Sequence, residues 1–282
     1  MTSIAINING GLGRVVAALP MLQSMSEDPE TRIITNGFDE LFDLTTLKTI
    51  EGSSGNILDV CLSHDVHTPE PYRVSAYLRG EIDMSTAFFK AMGSEETRRF
   101  YGLTPAYHSV LRMAKLIQDS NTENKPICMI HPTASGEGNI RNMSQQNVIN
   151  AIAAAKQDGY YPLVIGVENL GYEIDCLTSG NTSLTDFISL IFLAEVVICC
   201  DSAALHLSKA LDKRTVVLFT STAGTKYYPE MTEFRHPTLT KTFEYPRLFR
   251  QEIKQGNINY SNGCDKYIVP VEEFIKSIHK DT

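Results

Sequence analysis

The stretch VVICCDSAALHLSKALDKRTVVLF, residues 196–219, decides how the chain is read. Five apolar residues from Val196 to Cys200 meet a short polar turn; a helical run over Ala203 to Ala210 follows, then a second apolar run from Thr215 to Phe219. Short strands that are apolar throughout are what a parallel sheet covered on both faces requires. Strand, turn, helix and strand is the repeating unit of such a sheet. Asp201 and Ser202 stand at the helix start, where a side-chain oxygen serves as N-cap. The same turn carries the small residues Ser202, Ala203 and Ala204, which leave backbone N–H groups open, and His206 lies one turn into the helix. It reads either as a plain cap or as a cradle in which a helix N-terminus, a hydroxyl and an imidazole converge on one negative charge.

Working outward, the same alternation continues on both sides. Pro126 to Ile130 and Tyr161 to Gly166 read as strands, Gln145 to Gln157 and Leu184 to Ala194 as helices, and Val271 to Lys280 as a final amphipathic helix. Within IHPTASGEGNIRNMS, residues 130–144, the pair His131-Pro132 ends a strand, small residues fill a loop, and Arg141 precedes a helix. Arg141 is read as a solvated surface charge or as a clamp on a diphosphate. From Glu230 to Gly263 periodicity is weak and basic residues gather at Arg235, Lys241, Arg247, Arg250 and Lys254.

The first half repeats the pattern. Ser3 to Asn9 reads as a strand, the glycines of GGLG at 10–13 as a tight turn, and Arg14 to Met25 as a helix. Thr31 to Thr35 is a second strand, and Asn56 to Leu62 a third that ends at Ser63-His64-Asp65. Helices are expected over Ser85 to Met92 and Pro105 to Gln118, and the polar run Asp119 to Lys125 is the best joint. The fold class is therefore α/β, with a domain over 1–120, a second over 126–270, and a terminal segment 271–282 expected to pack back on the first. The turn at 10–13 is not the full dinucleotide pattern, and no acid stands at the end of the second strand to hold a ribose.

Composition narrows the function classes. The 282 residues carry a formal charge of -8, which argues against a protein that coats nucleic acid without sequence preference. The six cysteines form no CxxC pair and read as reduced, small hydrophobes. No run of 18 apolar residues occurs, and the start of the chain lacks a signal-peptide pattern, so the expected location is cytoplasmic. Histidine spacing gives no metal site. There is no GxSxG elbow and no lysine-bearing phosphate loop.

The run Asp201-Ser202-Ala203-Ala204-Leu205-His206, continuing into LSKALDKRTVVLFTST, resembles the nucleotide-binding half of heptosyltransferase-like (glycosyltransferase family 9 type) GT-B glycosyltransferases. The resemblance is strongest over 126–229 and again over 8–22. It implies two Rossmann-like domains facing across a cleft and a nucleoside diphosphate sugar, UDP- or ADP-linked, as donor substrate. No tightly bound cofactor or metal is implied. Asp201, Ser202, Ala203 and His206 would surround the donor diphosphate, and Arg141 would match the family's basic phosphate contact. The implied reaction is inverting transfer to an acceptor hydroxyl, on a cell-surface saccharide or on a hydroxymethylated base of phage DNA.

The chain departs from the family pattern at three positions. Ala203 and Ser221 stand where glycines are usual, and GGLGRVVAALPML keeps the family's N-terminal spacing but has Arg14 at the place of an aspartate proposed to activate the acceptor. Arginine stays protonated and is no general base. It would bind an anionic group or form a structural ion pair. Asp65 or His64, read as following the third strand, is the expected base, because ligands of open α/β sheets gather at the C-terminal ends of strands. Loss of the base defines the alternative reading, a non-catalytic nucleotide-sugar-binding protein.

Overall fold

The computed structural model describes residues 3–51, 57–134, 141–166, 177–179, 182–219, 231–235 and 268–279. The chain divides into two compact units, Met1–Thr104 and Pro105–Thr282.

In the first unit four strands, β1 (Ile4–Ile8), β2 (Arg32–Thr35), β3 (Thr49–Glu51) and β4 (Asp65–His67), form a parallel sheet in the order β3-β2-β1-β4. Helix α1 (Leu12–Met25) follows β1 directly and buries every residue from Val15 to Leu22. Such all-round burial needs protein on more than one side, and α5 (Met84–Ala91) packs along it. Asp83 caps α5 by accepting from the Thr86 N–H at 2.6 Å, and its other oxygen pairs with Arg99 at 2.7 Å. Short helices α2 (Asp39–Phe42), α3 (Ile57–Ser63) and α4 (Ser75–Leu78), with a 3-10 turn at Pro71–Arg73, complete the unit.

One expectation fails here. The apolar run after Asn56 is helix α3, not a strand, and β4 begins only at Asp65. Val60 packs beneath Ala5 and Ile34 while Leu62 is exposed, so the run is one-sided as a surface helix is. Short apolar runs of this length do not distinguish helix from strand by periodicity.

The second unit begins with α6 (Tyr107–Gln118), which the sequence places in the first domain. It packs on α8 (Leu184–Leu193), with Arg112 paired to Asp186. The polar run Asp119 to Lys125 is thus a turn within this unit, closed by Asn121, whose side chain bonds both the N–H and the C=O of Lys125. Six strands, β5 (Ile127–His131), β6 (Tyr161–Ile165), β7 (Leu177–Ser179), β8 (Val196–Cys200), β9 (Arg214–Phe219) and β10 (Thr232–Arg235), form a parallel sheet ordered β10-β9-β8-β5-β6-β7. Its central strand β8 is buried at all five positions. Helices α7 (Gln145–Gln157) and α8 start at serines, Ser144 and Ser183, whose hydroxyls accept from the N–H groups of Asn147 and Asp186. Helix α9 (Ala203–Ala210) joins β8 to β9.

The terminal helix α10 (Val271–Ile278), which the sequence assigns to the first domain's surface, packs on α7 of its own unit. Phe274 and Ile278 enter the core formed by Ile130, Val148, Val164 and Ile198. Polar contacts fix the same docking: Val269 N–H donates to Asn147 at 2.8 Å, and Arg214 donates to the Ile278 carbonyl.

Candidate active site

Both sheets are wound in the same way. In each the first strand is central, the chain goes out to one side, and a later strand returns to the first strand's other flank. The connection out of the first strand crosses to one side while the returning strand lies on the other, and the crevice at their C-terminal ends is where open α/β sheets bind ligands. In the second unit this place lies between β5 and β8. In the first it lies between β1 and β4.

At the β5/β8 point Asp201 and Ser202 follow β8, and His131 ends β5. Ser202 is the residue before α9, with φ -146° and ψ -177°, yet its hydroxyl makes no cap to the helix. It lies instead 3.2 Å from His131 Nδ1, so one hydrogen bond spans the crevice between the two strand ends. The His131 ring stands against Phe187, with centroids 5.1 Å apart. The residue keeps some exposure, but desolvation by surrounding atoms, opposed by a backbone hydrogen bond, pushes its imidazole down to about 4. It is neutral at ordinary pH.

Gly166, after β6, closes the other side of the ring. It has φ +80°, and a Cβ there would come within 2.8 Å of Thr133 Oγ1 and 3.5 Å of His131 Nε2. Thr133 donates to the Gly166 carbonyl at 3.3 Å.

Arg141 is held by a closed loop base: Asn142 accepts from the Ala134 N–H at 2.8 Å, and the Met143 N–H donates to the Pro132 carbonyl at 2.9 Å. Its guanidinium reaches Asp201 at 3.8 Å, and both side chains are more than four-fifths covered. Arg141 is therefore part of the turn rather than a solvated charge. His206, one turn into α9, is buried. Arg141, Asp201, Ser202, Ala203 and His206 thus lie in one neighbourhood with the first N–H groups of α9. A positive helix end, a guanidinium and a hydroxyl in a partly desolvated crevice suit an anionic ligand. The thiols of Cys199 and Cys200 lie beneath; burial pushes Cys200 up to about 12 and Cys199 well above the ordinary thiol range, so neither is a nucleophile.

At the β1/β4 point Gly10 takes φ +108°. A Cβ on Gly10 would fall 2.8 Å from Arg14 Cδ, so the space left by this glycine is filled by Arg14 itself, whereas Gly11 faces open space. Arg14 Nη2 donates to the Pro69 carbonyl and to Glu70 Oε2, each at 3.3 Å. The guanidinium carbon lies 5.8 Å from the Tyr72 ring centre and 5.9 Å from that of Phe88. Glu70 Oε1 accepts from the Tyr72 N–H at 3.1 Å. Arg14 is 15% and Glu70 33% exposed. The arginine is a clamp between the start of α1 and the loop after β4, and the carboxylate remains reachable.

His64 and Asp65 lie elsewhere. Asp65 is the first residue of β4, paired with Ile4 at the start of β1, so both stand at the N-terminal edge of the sheet, opposite Gly10 and Glu70. The expectation that they follow a strand end fails because the preceding run is α3. His64 instead contacts the neighbouring Ser63 hydroxyl at 2.8 Å.

Sequence reading missed Glu70 and His131. Both had a signal: Glu70 sits between Pro69 and Pro71, a restrained loop, and His131 ends a strand within the quoted 130–144 segment. Ser221 and the basic residues from Lys241 to Lys254 lie outside the described residues. Among the described residues no group of three His, Cys, Asp or Glu side chains is placed to hold a metal ion, and no helix is long and apolar enough to cross a membrane.

Comparison with known proteins agrees with this fold. Residues 167–250 match Glycosyltransferase family 9 (heptosyltransferase). The fold is similar to that of the glycosyl transferase family 9 from Veillonella parvula DSM 2008, with a TM-score of 0.67 at 11% identity over 98% of this chain and 95% of that one. It is similar to the dodecameric iron-containing heptosyltransferase TibC in complex with ADP-D-beta-D-heptose, with a TM-score of 0.60 at 12% identity over 93% and 77%. The E. coli heptosyltransferase WaaC with ADP gives 0.53 at 13% identity over 93% and 100%. No curated protein matches by sequence.

Proposed function

We propose, for a heptosyltransferase-like chain of GT-B fold, an inverting glycosyltransferase that moves a sugar from a nucleoside diphosphate sugar to an acceptor hydroxyl. The observation that carries this reading is the anion cradle at the β5/β8 point, where Arg141, Ser202 and the α9 N-terminus converge. Electrostatic stabilisation of a leaving diphosphate is the largest service such a site offers. ADP-linked donors are favoured by the solved relatives that hold ADP or ADP-heptose, with UDP-linked sugars as the second class.

The acceptor is assigned to the first unit. As the hydroxyl oxygen bonds to the anomeric carbon, the bond to the diphosphate breaks and the hydroxyl proton passes to a base. Glu70 takes that role here. It is partly exposed and held by two donors at the C-terminal edge of the sheet, the edge from which Asp65 and His64 are absent. Arg14 fixes Glu70 and accepts no proton. A saccharide is the acceptor class preferred, because a formal charge of -8 weighs against a DNA acceptor.

One observation favours the second reading, a nucleotide-sugar-binding protein without transfer: the position of the family's aspartate is filled by Arg14 and closed by an ion pair. Purified protein incubated with ADP- and UDP-linked sugars and a saccharide panel separates the two. The proposal expects acceptor-dependent release of nucleoside diphosphate, with the product's anomeric configuration inverted by NMR. Saturable donor binding with no release across the panel would favour the binding protein.

A further inference from the structure

We infer that His131 is a positioning residue of the donor site, whose Nδ1–H donates to Ser202 Oγ and so turns the serine proton toward the anion at the α9 N-terminus. The inference rests on the donor reading above. A serine in this place ordinarily turns its oxygen to the N–H groups of its own helix. Ser202 does not, and its hydroxyl is drawn 3.2 Å from His131 across the crevice.

A hydroxyl has one proton and two lone pairs, and a neutral imidazole has one N–H. If Ser202 gave its proton to the ring, it would present only lone pairs to a phosphate oxygen, and the contact would be repulsive. If the ring donates, the serine proton turns away from the ring, where an anion competes for it with the buried, neutral Cys200 thiol that the hydroxyl also contacts, and each hydrogen bond in the chain from N–H to O–H to phosphate strengthens the next. The environment of Nε2 selects the second arrangement. That nitrogen lies toward Gly166, where a Cβ would come within 3.5 Å of it, and makes no hydrogen bond with the described residues, whereas Nδ1 lies 3.2 Å from the Ser202 hydroxyl. Gly166 is part of the same device, because any side chain there would press on Thr133 and the ring.

Burial keeps the ring neutral, so His131 contributes geometry rather than charge. This distinguishes it from Arg141, which acts on the anion by charge.

The test is a double-mutant cycle on ADP and UDP binding by calorimetry, with 15N NMR of the wild-type imidazole. His131→Ala and Ser202→Ala should each weaken the bound nucleotide about tenfold, and the double variant should be no weaker than Ser202→Ala alone. His131→Asn, which returns an amide N–H near the place of Nδ1, should recover most of the loss. The NMR spectrum should show the proton on Nδ1 between pH 6 and 8, a readout that survives even if His131→Ala fails to fold. Additive losses, or a proton on Nε2, would overturn the role of His131. Wild-type protein that binds neither nucleotide would overturn the donor reading itself, and this inference with it.

Discussion

Two side-chain contacts, Arg14 to Glu70 and Ser202 to His131, bridge the two sheets' crevices, and both make predictions at the scale of single residues. Glu70→Gln keeps the size of the side chain and removes the base. Turnover should fall about 100-fold while the affinity for nucleoside diphosphate stays unchanged, measured by initial rates and calorimetry on the same preparation. Asp65→Asn should leave turnover near wild type. His131 gives a pH prediction. Its folded value lies below the unfolded value, so the unfolded chain binds the proton first as pH falls. The stability it contributes is whole above about pH 6.5 and is lost progressively toward pH 4, a difference of roughly 3 kcal/mol at most. Denaturant titrations of wild type and His131→Asn across that range should converge at the acid end.

At the scale of elements, the docking of α10 is the most exposed to test. Phe274 is fully buried and meets Phe234 edge-on at 5.3 Å. Phe274→Ala should cost about 3–5 kcal/mol in the unfolding transition of the second unit, read by urea denaturation. This helix shows what the sequence could and could not disclose. Its amphipathic period is plain from Val271 to Ile278, but a stripe of apolar residues says nothing about which surface will cover it. The same limit applies to α6: its helical period is legible, while its assignment to the second unit depends on α8 and the Arg112–Asp186 pair, 74 positions apart. The strands β5, β6, β8 and β9 were legible because centrally buried strands are apolar at nearly every position. Helix α3 was misread because its run is short enough to satisfy either period. Of the site, Asp201, Ser202, Ala203 and His206 were legible as one contiguous turn, and Arg141 as the basic residue after a loop of small residues. Glu70 was not, because its meaning comes from Arg14, 56 positions away.

At the scale of the whole molecule, two units of like winding each present a glycine-rich or small-residue turn, at Gly10–Gly11 and at Ser202–Ala204, and different ligands are proposed for the two. The first turn is occupied by its own arginine. The second carries the helix N-terminus, the hydroxyl and the guanidinium that suit a diphosphate. Hydrogen–deuterium exchange with and without saturating ADP or UDP tests this division most directly. Slowed exchange is expected in peptides covering 127–134 and 196–210, with that protection lost in Ser202→Ala at the same nucleotide concentration. Protection centred on residues 8–16, with 196–210 unchanged, would contradict it.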